Sequence, residues 1–285
     1  MGTTGVGRGR LPWGPALAGL TAVALLAACG SSTGNASTSA ASPSSTTAKP
    51  TATGPVTTAQ LASTLMAGAN TVTSGHISLS STYGGEKVIS AEGDETLAGG
   101  KLTAMRMDEK VGPVSLTLMI VDKVVYVKMP ANVVKNGKPW VKATVSSTNP
   151  GLKKLAALFS SLEQSASLRQ YSAFTEAASS LKTVSVLELL NGVAVAHYSM
   201  LVDITKVHNE AVTAEMKKGM AQAGISKLPV DLWVDEQGRT VKMAERFEVQ
   251  GKTMAVDMTL TRINQPVSIV APPASLTSDQ SELRS

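Results

Sequence analysis

Two short stretches of the chain match motifs that catalysis or nucleotide binding would use. Residues 30–34, GSSTG, match the G-x-S-x-G pattern of serine hydrolases, but the surrounding Ser/Thr-rich segment predicts neither the strand nor the helix that a nucleophile elbow needs. Residues 251–253, GKT, end like a phosphate-binding loop, yet Arg246 stands where that loop needs its first glycine. The second stretch is also predicted to turn between strands, so neither motif predicts catalysis or nucleotide binding.

Histidines and carboxylates are the remaining candidates for metal binding or acid–base chemistry. His208 lacks the second histidine of a zinc-binding helix, and His76 and His197 lie in separate predicted strands without a cysteine or carboxylate at ligand spacing. Three carboxylates on predicted strands have no spacing typical of a paired acid and base: Asp231, Asp235 and Asp257. The sequence therefore predicts no catalytic residue, no metal and no cofactor, and a protein that is not an enzyme.

Cys29, the single cysteine, is the residue with a specific chemical assignment. Arg8 and Arg10 precede an apolar stretch at 17–28 that is too short to span a bilayer comfortably, which is the build of a signal peptide. The stretch ends in LAAC at 26–29, a bacterial lipobox. This pattern predicts a diacylglyceryl group on the thiol and cleavage before Cys29, and two acyl chains suffice for stable anchoring. A free cysteine behind an ordinary signal peptide is the alternative.

Composition and charge divide the 285 residues into four segments. The signal peptide, 1–28, holds two of the 26 basic residues and none of the 21 acidic ones, so its removal lowers the net side-chain charge from +5 to +3. The acylated cysteine and a flexible Ser/Thr/Ala/Pro-rich tether occupy 29–57, a folded domain 58–274 and a C-terminal tail 275–285. Basic residues rarely lie beside aromatic ones, so we expect no nucleic-acid partner.

The spacing of apolar residues predicts the elements of the folded domain. Thr58 is predicted to cap the first helix, and period-two alternation between 77 and 144 predicts antiparallel strands. Helical spacing returns from 150 to 181 and is followed by a short helix over 184–190. A strand over 193–204, a helix over 205–223 and three strands between 230 and 260 complete the domain. The sequence therefore predicts an α+β domain in which helices cover the inner face of a large antiparallel sheet.

The expected interior is aliphatic and rich in methionine. Without the signal peptide the chain has 11 Met but only 2 Trp, 3 Phe and 4 Tyr. Such an interior suits either ordinary packing or an adaptable apolar pocket. If a pocket exists, its candidate lining residues lie on one predicted helix and on facing strands: Leu155, Phe159, Leu162, Met200, Val256 and Met258.

Several segments together resemble one protein family. They are the lipobox with its tether, GVAVAHY at 192–198, LPVDLWVD at 228–235 with its turn to Gly238 and Arg239, and NQPVSIVAPP at 264–273. With the order of helices and strands, they resemble the LppX/LprG-type lipoproteins of actinobacterial cell envelopes, which share the fold of the LolA and LolB carriers. The resemblance covers about 58–274, although each motif is short and structural.

The resemblance implies both a fold and a function. The fold would be an unclosed antiparallel half-barrel whose concave side, covered by helices, holds an apolar cavity for acyl chains. The protein would lie on the extracytoplasmic face of the cell membrane, anchored through Cys29, and would bind the acyl chains of a lipid or glycolipid and carry or present it. A membrane transporter or another envelope protein would be its partner. The alternative is a ligand-free envelope adaptor or sensor lipoprotein.

The lipobox predicts the outcome of replacing Cys29. Because the thiol receives the lipid, we expect Cys29→Ala to release the protein from the membrane or to leave it as an uncleaved precursor. Membrane fractionation with immunoblotting measures both outcomes. A variant that still partitions with membranes in its mature form would show that another attachment operates.

Overall fold

The computed structural model describes residues 57–129, 137–144, 170–207 and 214–278. The helices in these ranges are α1 (Thr58–Ala69), α2 (Gln170–Glu176) and α3 (Ala214–Gln222), with short 3-10 turns at Ile204–Lys206 and Ala274–Leu276. The strands are β1 (Ser74–Tyr83), β2 (Glu86–Ala98), β3 (Lys101–Val111), β4 (Val114–Val121), β5 (Val124–Lys128), β6 (Trp140–Ala143), β7 (Ala178–Leu190), β8 (Val193–Asp203), β9 (Lys227–Asp235), β10 (Thr240–Val249), β11 (Lys252–Thr261) and β12 (Thr277–Ser278).

All twelve described strands belong to one sheet that does not close. Their order is β12-β6-β5-β4-β3-β2-β1-β11-β10-β9-β8-β7, so β12 and β7 are the two edges. Every neighbouring pair is antiparallel except β12 and β6, which are parallel. The predicted α+β class and the unclosed antiparallel half-barrel are confirmed.

Alternation along each strand separates an inner face, which faces α1 and α2, from an outer face. In β9, Val230, Leu232 and Val234 are buried on the inner face, whereas Asp231 and Trp233 are only partly buried on the outer face. Inner-face residues and the two helices form one apolar cluster that includes Leu61 and Leu65 of α1 and Tyr171 and Phe174 of α2. A second apolar cluster lies on β3, β4, β5 and β6.

Helix α1 is positioned by its cap and by a close backbone contact. The Thr57 hydroxyl accepts a hydrogen bond from the Gln60 N–H at 3.2 Å, and the Thr57 N–H donates to Gln60 Oε1 at 3.0 Å, which is a capping box. The sequence predicts Thr58 as the cap, whereas the structure has Thr57 in that role and Thr58 as the first residue of the helix. Near the other end of α1, Gly68 lies against the backbone of Gly238 in the β9–β10 turn. The helix therefore packs over the sheet at backbone distance.

The helices predicted between 178 and 190 are wrong. Helix α2 ends at Glu176, and Ala178–Leu190 is the edge strand β7, paired with β8 through several register shifts. The apolar residues of this segment occur at helical spacing, but Val186, Leu187 and Leu189 are exposed, so their spacing does not mark the buried face of a helix. Backbone pairing with β8 therefore determines the structure, and the apolar period does not.

Other predicted elements differ from the structure at their ends or lie outside it. The helix predicted over 205–223 is a 3-10 turn at Ile204–Lys206 and helix α3, with 208–213 outside the described residues. The helical spacing predicted over 150–169 also lies outside them. The sheet continues into the segment predicted as a tail, because Thr277 and Ser278 pair with Trp140 and Val141. None of the helices in the described ranges has the length and apolar character that a membrane crossing requires.

Two glycine substitutions are predicted to have opposite effects on stability, because only Gly68 lies in the contact between α1 and the β9–β10 turn. A Cβ at Gly68 would lie 2.1 Å from the carbonyl oxygen of Gly238, so we expect Gly68→Ala to lower the free energy of unfolding by about 1–3 kcal/mol. Gly219 in α3 has no atom within 4 Å of such a Cβ, and Gly219→Ala should raise stability by about 0.5–1 kcal/mol. Urea unfolding measures both. Equal stability of the two variants would contradict the contact.

Candidate ligand-binding face

The structure brings three of the predicted lining residues together on the inner face. Met200 of β8 and Val256 and Met258 of β11 are 3%, 6% and 9% exposed and belong to the same apolar cluster. The three predicted lining residues of the helix, Leu155, Phe159 and Leu162, lie outside the described residues. The assignment of these six side chains to a cavity stays a prediction.

Helix α2 packs directly on two of these residues. The Tyr171 hydroxyl lies 3.3 Å from the Met258 sulfur, and the Thr175 hydroxyl lies 3.8 Å from the Met200 sulfur. Thr175 also donates to the carbonyl oxygen of Tyr171 at 2.7 Å, which satisfies its hydroxyl within the helix. The thioethers of Met200 and Met258 therefore form the surface on which α2 rests.

Glu245 lies in the middle of this apolar face. It is 4% exposed, and its cross-strand partners are Val256 on β11 and Val230 on β9, with Met200 paired to Val230. No described residue forms a hydrogen bond with Glu245 Oε1. Burial raises the pKa of this carboxyl from its ordinary 4.5 to about 8.

Glu95 and Glu109 repeat this arrangement on the other half of the sheet. They are 1% and 3% exposed, and each has an Oε1 without a partner among the described residues. Glu95 of β2 pairs with Gly75 and Met105, and Glu109 of β3 pairs with residues 91 and 116, an alanine and a leucine. Burial raises the pKa of Glu95 to about 8 and that of Glu109 to about 7.

The sequence reasoning did not single out these three buried glutamates. The signal for them was present, because each has the strand parity of buried apolar neighbours. Each glutamate lies an even number of positions from buried apolar residues of its own strand and therefore on the same face as they do. These residues are Val241 and Met243 for Glu245, Ala91 and Leu97 for Glu95, and Met105 for Glu109. A neutral carboxyl both donates and accepts hydrogen bonds, so the inner face presents polar groups within apolar surroundings.

On the outer face, by contrast, polar groups are paired with one another. The two ring nitrogens of His197 each lie 3.2 Å from a carboxylate oxygen, Nδ1 from Glu188 and Nε2 from Asp231. The imidazole stacks on Trp233 at a centroid distance of 4.2 Å, and the indole N–H donates to Glu188 at 3.1 Å. Lys242 lies over the same indole, 4.3 Å from its centroid. This cluster connects β7, β8, β9 and β10.

The other predicted polar candidates also have separate partners. Asp235 accepts from Arg239 Nε at 2.7 Å, and Asp257 pairs with Arg246 at 3.3 Å. His76 lies 2.7 Å from Asp94 on the neighbouring strand. His208 lies outside the described residues. Within the described ranges, no three His, Cys, Asp or Glu side chains are placed to hold a metal ion.

A groove of about 560 Å³ lies across β2–β5 on the outer face. The charged residues among those that line it are Lys87, Glu92, Asp108, Glu109, Lys110 and Lys128. Glu109 and its cross-strand neighbours Ala91 and Leu116 face inward by their register, so most of the groove wall is formed by charged and hydroxyl side chains of the outer face. Such a wall does not suit an acyl chain, and the inner face remains the candidate site.

A second surface feature is the end of the β7–β8 hairpin. Five aliphatic side chains there are between 45% and 78% exposed: Val184, Val186, Leu187, Leu189 and Val193. They lie on both faces of the hairpin, at an edge of the sheet. Exposed aliphatic patches of this kind mark interaction surfaces more often than isolated apolar residues do.

The raised pKa values of the three glutamates predict how stability depends on pH. A carboxyl whose pKa is higher in the folded than in the unfolded chain binds a proton on folding, so stability falls as the pH rises from about 4.5 to about 8. Each such group contributes a slope of about 1.4 kcal/mol per pH unit inside that window. We expect Glu245→Gln to remove the contribution of one carboxyl, about 1.4 kcal/mol per pH unit, from the dependence of stability on pH. Urea unfolding at pH 5, 7 and 9 measures this dependence. An unchanged slope would place the proton uptake elsewhere.

Comparison with known proteins identifies the fold. No protein-family model matches the chain. No curated protein matches its sequence. Among solved structures, LprF from Mycobacterium bovis superposes with a TM-score of 0.50 and 16% identity over 75% of this chain and 96% of LprF. The lipoprotein LppX from Mycobacterium tuberculosis gives 0.47 and 14% identity over 74% of this chain and 98% of LppX.

The likeness to LprF spans nearly all of that protein. At 16% identity it is a likeness of fold. The chain has the fold of the LppX/LprG-type lipoproteins, as its sequence resemblance predicted.

Proposed function

We propose that the protein is a lipid-anchored component of the cell envelope that binds the acyl chains of a lipid or glycolipid against the inner face of its sheet and carries or presents that lipid. The observation that carries this proposal is the apolar inner face of an unclosed sheet in the fold of LprF. No chemical step is required, and the work of the protein is to shield chains from water.

The energetics of chain transfer support this role. Removing an acyl chain from water gains about 0.8 kcal/mol per CH₂ group, so a dozen methylene groups give a strong driving force without directional bonds. Methionine side chains adapt to differently shaped apolar partners. Met105, Met200, Met243 and Met258 lie on the inner face. An inner face of this composition fits chains of more than one length.

Anchoring and tether length give the domain access to a membrane. A diacylglyceryl group on Cys29 would hold the protein at the extracytoplasmic face of the cell membrane. The 28 residues from 30 to 57 are Ser-, Thr-, Ala- and Gly-rich, and a flexible coil of that length has an r.m.s. reach of roughly 30 Å. The domain would stay close enough to exchange a lipid with that membrane or with a transporter in it.

A ligand-free adaptor or sensor is the second candidate function. The five exposed aliphatic side chains of the β7–β8 hairpin favour it, because an adaptor needs a surface for another protein and not an interior for a ligand. The two functions differ in one measurable property, which is the presence of a lipid in the purified protein.

Mass spectrometry of organic extracts decides between the two functions. The full chain carrying Cys29→Ser, which lacks the covalent diacylglycerol, is purified from an actinobacterial host and extracted with chloroform and methanol. A carrier should yield a lipid near one equivalent, absent from a control protein purified in parallel. The absence of a lipid from the protein purified in this host would favour the adaptor.

Val256→Trp tests whether the inner face borders ligand space. In a filled interior this substitution would overpack and lower stability by about 1–3 kcal/mol. Beside a cavity, the indole would occupy the space of the lipid, so we expect a melting temperature close to that of the native protein and a reduced lipid yield. Val186→Trp is the matched control, because Val186 is 58% exposed, and it should change neither quantity. Lost stability with an unchanged lipid yield would contradict the assignment of Val256.

A further inference from the structure

We propose that Glu95, Glu109 and Glu245 are hydrogen-bonding sites for hydroxyl groups of the bound lipid. The inference rests on the proposed function, because it requires a lipid against the inner face, and it adds a ligand class: a lipid that carries free hydroxyl groups among or beside its chains.

The first step is that each of the three carboxyls has an oxygen without a hydrogen-bond partner among the described residues. Buried polar side chains in proteins are nearly always hydrogen-bonded, and an unpartnered one costs free energy. Glu95, Glu109 and Glu245 are 1%, 3% and 4% exposed, and Oε1 of each has no partner among the described residues. The carboxylates of the outer face, such as Asp231 and Asp257, have a histidine or an arginine beside them.

The second step concerns their placement. By register all three lie on the inner face, which is the side that would meet the ligand. Glu245 lies between Val230 and Val256, and Val256 is one of the predicted lining residues. Glu95 and Glu109 lie on neighbouring strands, and their rows are offset by four residues, which corresponds to roughly 13 Å along the sheet. The carboxyls are therefore separate sites spread over the face, each surrounded by apolar residues.

The third step is the chemistry of the missing partner. The unpaired atom in each case is a carboxyl oxygen, and a neutral carboxyl group both donates and accepts hydrogen bonds. A plain hydrocarbon chain does neither, and an ester oxygen only accepts. A ligand carboxylate also only accepts, and its charge would be desolvated in these apolar surroundings. Burial raises the pKa of Glu95 and Glu245 to about 8 and that of Glu109 to about 7, so Glu95 and Glu245 are largely protonated at neutral pH and attract an ammonium group weakly. A hydroxyl both donates and accepts, and it matches a neutral carboxyl.

The experiment compares lipids that differ in one group. The full chain carrying Cys29→Ser is equilibrated with phosphatidylcholine vesicles that contain tritiated hexadecane, 1-hexadecanol or hexadecylamine, and the protein-bound fraction is measured at pH 6.5. Each value is divided by that of hexadecane to remove the contribution of chain burial. We expect 1-hexadecanol to be preferred over hexadecane by about tenfold, the discrimination typical of one hydrogen bond to an otherwise unpaired buried group.

Variants assign the preference to the carboxyls. Glu245→Leu removes the polar group, and we expect it to reduce the preference for 1-hexadecanol several-fold while hexadecane binding persists. Glu245→Gln keeps a donor and an acceptor and should preserve most of the preference. Glu95→Leu and Glu109→Leu are tested in the same way, so the test continues if one variant fails to fold. Glu92→Leu is the matched control, because Glu92 is an exposed residue of β2 on the outer face.

Each contrary result overturns a different statement. An undiminished preference in all three leucine variants would show that the carboxyls bind only internal water. A preference for hexadecylamine over 1-hexadecanol would assign them to a cationic ligand and refute the hydroxyl class. Binding of all three probes without preference would refute this inference and leave the proposed function standing, whereas binding of none would refute both.

Discussion

Burial of one face of an unclosed sheet is the constraint on which the rest of the structure depends. A closed barrel covers its own inner face, but this sheet ends at β7 and β12, and helices must cover the apolar side of its strands. Helix α1 reaches the sheet at backbone distance because Gly68 and Gly238 have no side chains between them. Helix α2 rests on the thioethers of Met200 and Met258. The cover is therefore attached by specific contacts at one half of the sheet.

Three buried carboxyls conflict with the requirement that the inner face be apolar. Replacing Glu245 by an aliphatic residue of similar size would remove a desolvated group from between Val230 and Val256 and would be expected to stabilise the fold. Natural sequences depart from local physical consistency most often at functional sites, where stability is lost for a binding or catalytic role. These three carboxyls differ from the acids of the outer face in their surroundings, because they lie among apolar side chains and the outer acids lie beside a histidine or an arginine.

Much of the fold could be predicted from the sequence because most strands alternate strictly. The alternation of Val114, Leu116, Leu118 and Ile120 predicted β4. The predicted turns at Gly84 and Gly251 connect the strands of two hairpins that the structure contains. Strand β7 could not be predicted in this way, since most of its apolar side chains are exposed and show no period-two burial: Val184, Val186, Leu187 and Leu189. Parity along the strands placed Met200, Val256 and Met258 on the inner face, where the structure has them, and their role as cavity lining stays a prediction. An unpartnered carboxyl is defined by what is absent around it in space, which no spacing along the chain records.

The same alternation that separates the faces also explains why each face has its own chemistry. On the outer face, water and neighbouring strands supply partners, so His197, Glu188 and Asp231 form a connected set of hydrogen bonds. On the inner face, neighbouring positions in the strand rows are apolar, so a carboxyl placed there has no partner of its own chain within its row. The described residues therefore leave Oε1 of Glu95, Glu109 and Glu245 without a hydrogen-bond partner. An open sheet leaves such a face accessible from its edges, whereas a closed barrel packed with its own side chains does not.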